Sequence, residues 1–482
     1  MSQIVGQRRD SRWFALVVLC AGMLMIILDG TIVNVALPAI QADLDFSQAG
    51  LAWVINAYLI PFGGLLLLAG RAGDLVGRKR MFLAGISVFT VASLLCGLAT
   101  SQELLIAARF IQGVGGAMAA AVILGMIVTM FPEKGEQARA IGVFGFVAAA
   151  GGSLGLLAGG VLTEAISWHW IFFVNVPIGL VAFALAVRSV PGEQGIGIRE
   201  GADVVGALLV TTGLMLGVYT IVKAADHGWG SAHTLLVGAA AVVLLVGFVV
   251  RQRTAANPLL PLRILASRNV AGANVVQVLM VAGMFGMFFL GALYLERVLG
   301  YDPLQIGLGF LPVGVGIGAL SLGASARINT RLGERPVLIG ALVLIAVGLV
   351  LLTRAPIDAN YFVDFFPSTV LMGVGAGLAF PAAMTLAMSD ATKDDSGVAS
   401  GLVNTTQQVG GALGLAVLAT LATSHTNGLI ARGEAAVEAM NSGYRLAFGV
   451  AAGLVAIAVV LAVTVLRQPR ESAERELAAV LG

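Results

Sequence analysis

Two charged residues interrupt long apolar segments, and both could take part in proton chemistry. Asp29 follows an apolar run that begins near Trp13, and Arg109 lies early in a later one. A carboxylate in hydrocarbon must find a partner or take up a proton, whereas Arg stays charged. We predict that Asp29 binds and releases a proton and that Arg109 senses it. The alternatives are an Asp that caps a helix break at Gly30, with Pro38 ending the helix, and an Arg that snorkels to the membrane surface.

The composition indicates which solvent surrounds these residues. Of the 482 residues, 58% are hydrophobic and 11% are charged, whereas soluble domains are about a quarter charged. The apolar runs are long and continuous, which predicts membrane-spanning helices of roughly 20 residues rather than a β-barrel. We expect an all-α membrane protein with fourteen transmembrane helices, the first of which is a span and not a cleaved signal peptide.

The distribution of positive charge predicts the orientation in the membrane. With a cytoplasmic N-terminus, 22 of the 28 Lys and Arg residues fall in inner segments and 5 in outer ones. An even number of spans then places both termini in the cytoplasm of a multi-pass cell-membrane protein. The net charge of +2 is spread over short clusters and gives no support for nucleic-acid binding.

Two connectors suggest an internal repeat. The segments 70–85 and 327–340 are short basic turns that lead into an apolar run ending in Gly. If they are equivalent, helices one to six correspond to helices nine to fourteen. We therefore predict a six-helix bundle at 1–190, a two-helix insert with its linkers at 191–268, and a second six-helix bundle at 269–482.

Glycine spacing and charge predict where the bundle packs and moves. A four-residue glycine repeat in the fifth helix lets another helix approach closely, either as ordinary packing or as a moving interface between the halves. The same spacing recurs at Gly314, Gly318, Gly410 and Gly414. The acid in the basic 70–80 turn suggests an ion-pair latch on the cytoplasmic side, although topology anchoring remains an alternative. The predicted gating residues are Gly70, Asp74, Gly77, Arg78, Lys79, Arg80, Gly151, Gly155, Gly159 and Gly160.

Polar residues in otherwise apolar helices are candidates for the wall of a substrate cavity. Methionine and aromatic side chains would add adaptable apolar contacts. The predicted cavity residues are Asn34, Asn56, Tyr58, Gln112, Asn404, Gln407 and Gln408, with Met280, Met284 and Phe285.

Other chemistries find little support in the sequence. The four histidines fall at predicted outer helix ends without ligand spacing, so we expect no metal site. A GxxxxGK[ST] phosphate loop is absent, and the aqueous segments are too short for an enzyme domain, which leaves an ion gradient as the energy source. We expect no cofactor apart from protons as the coupling ion. Cys20 and Cys96 lie in apolar runs and are predicted to be buried thiols.

Several segments resemble the major facilitator superfamily and, within it, the fourteen-helix drug:proton antiporters. The similar segments are LDGTIVNVALPAI at 28–40, GRAGDLVGRKR at 70–80, LLIAARFIQGVGGAM at 104–118, GGSLGLLAGG at 151–160, WHWIFFVNVPIG at 168–179, GYDPLQIGLGFLP at 300–312 and GVASGLVNTTQQVGGALG at 397–414. The chain departs from the family pattern at Leu156, where a Pro is usual, and at His169, where an Arg is common. Ala72 and Leu75 also replace a larger apolar and a basic residue.

The resemblance implies a secondary active transporter. Two six-helix halves would alternate access to a central cavity and export small hydrophobic or amphipathic compounds, such as drugs, antibiotics or dyes, in exchange for protons, with Arg109 associated with proton coupling. We expect a monomer whose partners are a small-molecule substrate, protons and the lipid bilayer. A nutrient symporter or facilitator could use the same scaffold, and so could a receptor without transport. The antiporter-like fifth helix argues against the first alternative, and Asp29 argues against the second.

Overall fold

The first half of the molecule is a bundle of seven consecutive helices. The computed structural model describes residues 2–131, 133–192, 195, 203–256, 258–260, 262–389 and 396–468, which form helices and turns without a strand among them. The helices of the first half are α1 (Ser2–Leu44), α2 (Gln48–Val76), α3 (Arg78–Gly97), α4 (Gln102–Met130), α5 (Lys134–Ala165), α6 (Trp170–Phe173) and α7 (Asn175–Ser189).

An insert and a second half follow. The insert consists of α8 (Val204–His227) and α9 (Ala232–Thr254), after which Leu262–Ala266 forms a 3₁₀ turn. The helices of the second half are α10 (Arg268–Arg297), α11 (Pro303–Ala319), α12 (Ser325–Leu332), α13 (Glu334–Leu352), α14 (Phe366–Met388), α15 (Ser396–Ile430) and α16 (Ala436–Thr464). Two π-helical turns precede α12 and α14, at Leu320–Ala324 and Tyr361–Phe365.

The helices have the length and apolar surface that a bilayer requires. Among the described residues, 11 helices could cross a membrane, and α2 makes 12 if Gly50–Leu66 and Leu68–Val76 form one bent span. The two other predicted spans fall on α5 and α11, where the apolar stretches Leu154–Ala165 and Pro303–Ala319 are shorter. The multi-spanning helical fold is confirmed, and the count of fourteen stays a prediction.

Local sequence explains several helix boundaries. Ser47, Ser101 and Ser231 each accept a hydrogen bond from the backbone N–H three residues later, which caps α2, α4 and α9. The prediction that Pro38 ends the first helix was wrong, because α1 continues to Leu44. Proline is tolerated inside membrane helices when neighbouring groups satisfy the carbonyl that it leaves without a donor.

The two halves share a register, in which α1 to α3 correspond to α10 to α13. Gly77 joins α2 to α3, and Gly333 joins α12 to α13; both have positive φ, 103° and 79°, a conformation that glycine adopts without strain. Gln41 and Arg297, which touch each other near the ends of α1 and α10, are 256 residues apart, the same separation as the two glycines. This agreement supports the repeat, whereas the boundaries at 190 and 268 stay predictions.

Among the described residues, three helix pairs make the main contacts between the halves. α2 packs on α15, α5 packs on α11, and α1 touches α10. We call the side of the bundle where α1 ends the Gln41 face, and the opposite side, where α2 passes into α3, the Arg78 face. The insert lies beside this junction, because α8 contacts both α2 and α15, while α9 packs on α8. Leu236 and Val243 of α9 are 71% and 68% exposed, as expected where lipid is the solvent.

A polar clamp fastens the two insert helices at the Arg78 face. Asp203 caps α8 by accepting the Gly206 N–H at 2.9 Å, and it also accepts from Arg251 and Gln252 of α9 at 2.9 and 2.8 Å. Burial raises the pKa of Asp203, but these three donors outweigh it and hold the pKa below its ordinary value. Gln252 also accepts the backbone N–H of Leu260, so the clamp reaches the linker that precedes α10.

Candidate functional site

Asp29 lies inside the unbroken α1 and is fully buried. Its Oδ2 accepts a hydrogen bond from Arg109 Nη1 at 2.5 Å, and its Oδ1 accepts from Gln112 Nε2 at 2.7 Å and from Asn175 Nδ2 at 2.9 Å. Helices α4 and α7 therefore converge on one carboxylate of α1. Because no helix break exists here, the alternative of a capping Asp is excluded. We call Asp29, Arg109, Gln112 and Asn175 the ion-pair cluster.

Arg109 is fully buried, so it does not snorkel to the membrane surface. Its Nε donates to the Val54 carbonyl of α2 at 2.9 Å, and its Nη1 also donates to Gln112 Oε1 at 2.8 Å. The guanidinium lies 4.4 Å from the Tyr58 ring centroid and 5.6 Å from that of Phe172, within range of cation–π attraction. Tyr58 and Gln112, predicted as cavity residues, thus belong with the ion pair.

Sequence reasoning missed two members of this network. Asn175 begins α7 and donates to Ser93 Oγ at 3.0 Å, while Ser93 donates to the Phe172 carbonyl at 2.9 Å. Cys96 Sγ lies 3.5 Å from Gln112 Oε1 on another side. Asn175 stands in the apolar segment 168–179 and could have been selected by the criterion applied to Asn34. Ser93 gives no such signal, because small hydroxyl residues are common in membrane helices.

The cation of the ion-pair cluster has partners besides Asp29. A buried pair is stable only while both partners remain compensated, so removing one charge leaves the other exposed to the low-dielectric interior. Arg109 also donates to the Val54 carbonyl and to Gln112 Oε1. The charge of Arg109 is therefore compensated by neutral groups as well as by the Asp29 carboxylate.

Two asparagines are buried without a full set of partners. Asn34 Nδ2 donates to the Gly30 and Thr31 carbonyls, but Asn34 Oδ1 has no hydrogen-bond partner among the described residues. Neither amide atom of the fully buried Asn56 has a hydrogen-bond partner among the described residues. Asn34 precedes Gln41 by seven residues, so both lie on one face of α1, the face that contacts the second half. Orphaned buried amides are costly, and a bound polar group would relieve that cost.

The predicted cavity residues of the second half occupy different environments. Met280 and Met284 are buried in the core of α10, and the half-buried Phe285 lies against Gly411 of α15. Gln408 packs its aliphatic stem on Gly63 of α2, where the halves meet. The other two predicted residues of α15 lie nearby along the chain, with Gln407 half-buried and Asn404 exposed.

The basic turn at the Arg78 face is tied to its own half. Arg78 pairs with Asp74 at 3.0 Å, and it donates to Thr129 Oγ1 at 3.0 Å and to the Gly125 carbonyl at 3.4 Å in α4. Lys79 donates to a backbone carbonyl of α7 at 2.8 Å. Gly70, Gly77 and the exposed Arg80 complete the turn. The predicted ion pair is thus present, and the contacts that it makes here lie within the first half.

The glycine row of α5 packs against α1. Gly151, Gly155 and Gly159 face successive turns of α1 on either side of Asp29. Only Gly160 turns to the second half, where it meets the Pro303 carbonyl of α11. The glycine row therefore packs two helices of the first half together and does not form an interface between the halves. In the second half, Gly410 and Gly414 of α15 pack on α10 in the same way.

Two of the four departures from the family pattern, Leu156 and His169, have described surroundings. Helix α5 runs without interruption through Leu156, whose side chain is buried. His169 stacks on Trp168 with ring centroids 3.8 Å apart, and Trp168 Nε1 donates to Asp43 Oδ2 at 3.0 Å near the end of α1.

The cysteines are buried thiols, and the described residues show no metal-type cluster. Cys20 and Cys96 are free and buried, as predicted. Within the described ranges, His, Cys, Asp and Glu side chains form no group of three that could hold a metal ion. The imidazoles of His227 and His233 do approach each other, with centroids 4.7 Å apart, where α8 meets α9.

An antibiotic resistance protein and an antibiotic export protein resemble this chain over most of their length. The puromycin resistance protein pur8 of Streptomyces alboniger is 39% identical over 469 residues, which cover 96% of this chain and 93% of that protein. The cephamycin export protein CmcT of Amycolatopsis lactamdurans is 38% identical over 451 residues, with coverage of 92% and 91%. These similarities extend through both halves and the insert.

Fold comparison and a family profile agree with these relatives. The crystal structure of a bacterial homologue of the human lysosomal transporter Spinster, in an inward-facing and unoccupied conformation, matches with a TM-score of 0.66 at 15% identity, covering 97% of this chain and 98% of that one. The profile of the Major Facilitator Superfamily matches residues 19–415. This chain, with a buried ion pair at the centre of its first half, is a member of the Major Facilitator Superfamily.

Proposed function

We propose that this efflux transporter exports small hydrophobic or amphipathic compounds in exchange for protons. The observation that supports proton exchange is the fully buried pair of Asp29 and Arg109, because an ionised pair has no structural need to lie at that depth in an apolar bundle. The functions for which the two relatives are named, resistance to puromycin and export of cephamycin, agree with export of small molecules. The catalytic chemistry of an enzyme is not required.

Proton binding and substrate binding would be coupled through the groups that compensate the positive charge of Arg109. When Asp29 is ionised, it holds the guanidinium with help from Gln112 and Asn175. A proton on Asp29 removes that attraction and leaves Arg109 to the Val54 carbonyl and the Tyr58 ring. A shift of α4 against α1 would then alter the shape of the neighbouring cavity, so that proton uptake and substrate release occur together.

The substrate would bind between the halves. Asn34 and Asn56 offer amide groups that lack partners among the described residues, and Phe285 with the methionines of α10 offers an adaptable apolar surface. A compound with both an apolar body and a few hydrogen-bonding groups fits this combination. Such a site would accept several related molecules, because apolar contacts discriminate weakly.

The membrane orientation follows from the basic segments. We assign the Arg78 face and both termini to the cytoplasm, and the Gln41 face to the outside. The halves 1–190 and 269–482 would rock about the central cavity, with the insert at 191–268 beside them. A monomer in the cell membrane, with protons as its coupling ion and no cofactor, is sufficient for this cycle.

Transport driven by an imposed pH gradient tests the proposal. In proteoliposomes loaded with a fluorescent amphipathic dye, the wild type should move dye against its gradient when protons can flow the other way. Asp29→Asn keeps the shape of the side chain but cannot exchange a proton, so driven transport should fall to the level of empty liposomes.

Folding of the variant is checked by its elution profile and by dye binding. Unchanged driven transport in a folded Asp29→Asn protein would refute proton coupling through this residue. Dye movement in the same direction as the protons would instead identify a symporter.

A further inference from the structure

A polar contact joins the two halves at the Gln41 face. Arg297, the last residue of α10, donates from Nη2 to Gln41 Oε1 of α1 at 2.5 Å in a partly buried setting. The two residues are equivalent under the 256-residue register of the halves. Equivalent positions can touch only close to the axis that relates the repeats. The contact therefore lies where rocking of the halves would separate or join them.

Both partners are oriented before they meet. Gln41 Nε2 donates to the Phe46 carbonyl at 2.7 Å, so its Oε1 remains as the acceptor for Arg297. Arg297 also pairs with Glu296 of its own helix at 3.5 Å. When the bond to Gln41 breaks, the guanidinium keeps a carboxylate beside it, and Gln41 carries no charge that would need a new partner. Such a bond can open and close repeatedly at little cost.

Each partner is fixed to its own half. Gln102 of α4 donates to the Leu44 and Asp45 carbonyls at 2.8 and 2.9 Å, which holds the end of α1 in the first half. In the second half, Tyr294 of α10 donates from its hydroxyl to the Pro356 carbonyl at 2.7 Å. Movement of one half against the other must therefore act directly on the bond between Gln41 and Arg297.

The opposite side of the bundle differs. At the Arg78 face, the contacts of Arg78 and Lys79 given above lie within the first half. The described parts of α4 and α14, the fourth spans of the two halves, do not pack together as α1 and α10 do. We propose that Arg297 and Gln41 form the gate bond that keeps the Gln41 face closed, and that this bond must break for export to be completed. The proposal rests on the alternating-access cycle and orientation given above.

Distance measurements between spin labels test the gate bond. Labels at Glu103 and Asp358, both exposed at the Gln41 face, report the separation of the halves in a protein whose Cys20 and Cys96 are changed to Ala. Arg297→Ala and Gln41→Ala should each raise the ratio of long to short distances about tenfold, the effect of losing one charge-assisted hydrogen bond. The double variant should add little, because both changes break the same bond.

Arg445→Ala is the matched control. Arg445 lies at the same face, but its Nε donates to the Thr353 carbonyl within the second half, so this change should leave the distances unaltered. Unchanged distances in the two gate variants, an equal shift in Arg445→Ala, or additive effects in the double variant would each overturn the proposal.

The readout needs neither a pH gradient nor a substrate. If the distance measurements contradict the gate bond, the driven-transport test of Asp29 is unaffected. If the transport test contradicts proton coupling, the distances still report on the gate bond. If Arg297→Ala does not fold, Gln41→Ala probes the same bond from the other half.

Discussion

Helices α1 and α10 occupy equivalent places in the two halves, yet only one of them carries a buried charge. The 256-residue register that relates Gln41 to Arg297 also makes Phe285 of α10 the equivalent of Asp29 of α1. Asp29 accepts three hydrogen bonds from two other helices, whereas Phe285 lies against Gly411 of α15. The scaffold is thus duplicated and the ionic chemistry is not.

The difference separates what the repeat supplies from what the function requires. Both halves use glycine rows to bring a neighbouring helix onto α1 or α10. Both also have a positive-φ glycine at the turn that leads into α3 or α13. Before its last turn, the side-chain hydrogen bonds described for α10 are neutral ones, such as Asn274 Oδ1 accepting from Thr406 Oγ1 at 2.8 Å. Under the proposed function, a division of labour between a proton-binding half and an apolar half would explain this asymmetry.

The largest expected effect comes from removing the cation of the ion pair. Arg109→Ala leaves a buried carboxylate uncompensated, which costs about 3–5 kcal/mol in the free energy of unfolding, and driven transport should be lost. Adding Asp29→Asn should recover most of the stability but none of the transport, because the two effects share one pair. Thermal unfolding in detergent and the liposome assay measure both. A double variant that is as unstable as the sum of the two single variants would contradict the pairing.

A smaller effect should distinguish the two halves directly. Asn175→Ala removes one donor from Asp29, and Asn274→Ala removes a neutral hydrogen bond from α10. Asn175→Ala should cost about 1.5–3 kcal/mol of stability because it removes a hydrogen bond to a charged group, and Asn274→Ala about 0.5–1.5 kcal/mol because its bond is neutral. Only Asn175→Ala should lower pH-driven dye transport, by about tenfold. Equal losses of transport in the two variants would show that the asymmetry of the halves has no bearing on coupling.

The smallest expected effect is in the insert. Because the pKa of Asp203 in the folded protein lies below its ordinary value, the stability that its carboxylate contributes is fully present above about pH 4 and is lost as the pH falls through the folded value. Asp203→Asn should therefore lower the free energy of unfolding by about 1 kcal/mol at pH 5 to 8, with transport nearly unchanged. Melting curves at several pH values check this. A difference that appears only at pH 8 would assign the effect to another group.

Much of the architecture could be predicted from the sequence because lipid imposes a simple rule. Long apolar runs must be helices, and a charge inside such a run must have a partner. That reasoning identified Asp29 and Arg109 separately, but their contact spans 80 residues and only the fold reveals it. Pro38 misled the prediction, since its effect on α1 depends on neighbours that satisfy the backbone.

Features that depend on packing direction could not be predicted. The spacing of Gly151, Gly155 and Gly159 showed that a helix approaches α5 but not that the helix is α1. The contact between Gln41 and Arg297 joins residues in different halves, and neither lies in a recognisable pattern. Contacts of this kind follow from how the halves are placed against each other, which local sequence does not encode.

Proton release on substrate binding tests the central claim most directly. Purified protein in weakly buffered detergent with a pH indicator should acidify the solution when a transported dye is added, because in the proposed exchange dye binding and protonation of Asp29 exclude one another. Asp29→Asn should bind the dye without acidification. Acidification of equal size in that variant would contradict the account, because the proton would then come from another group.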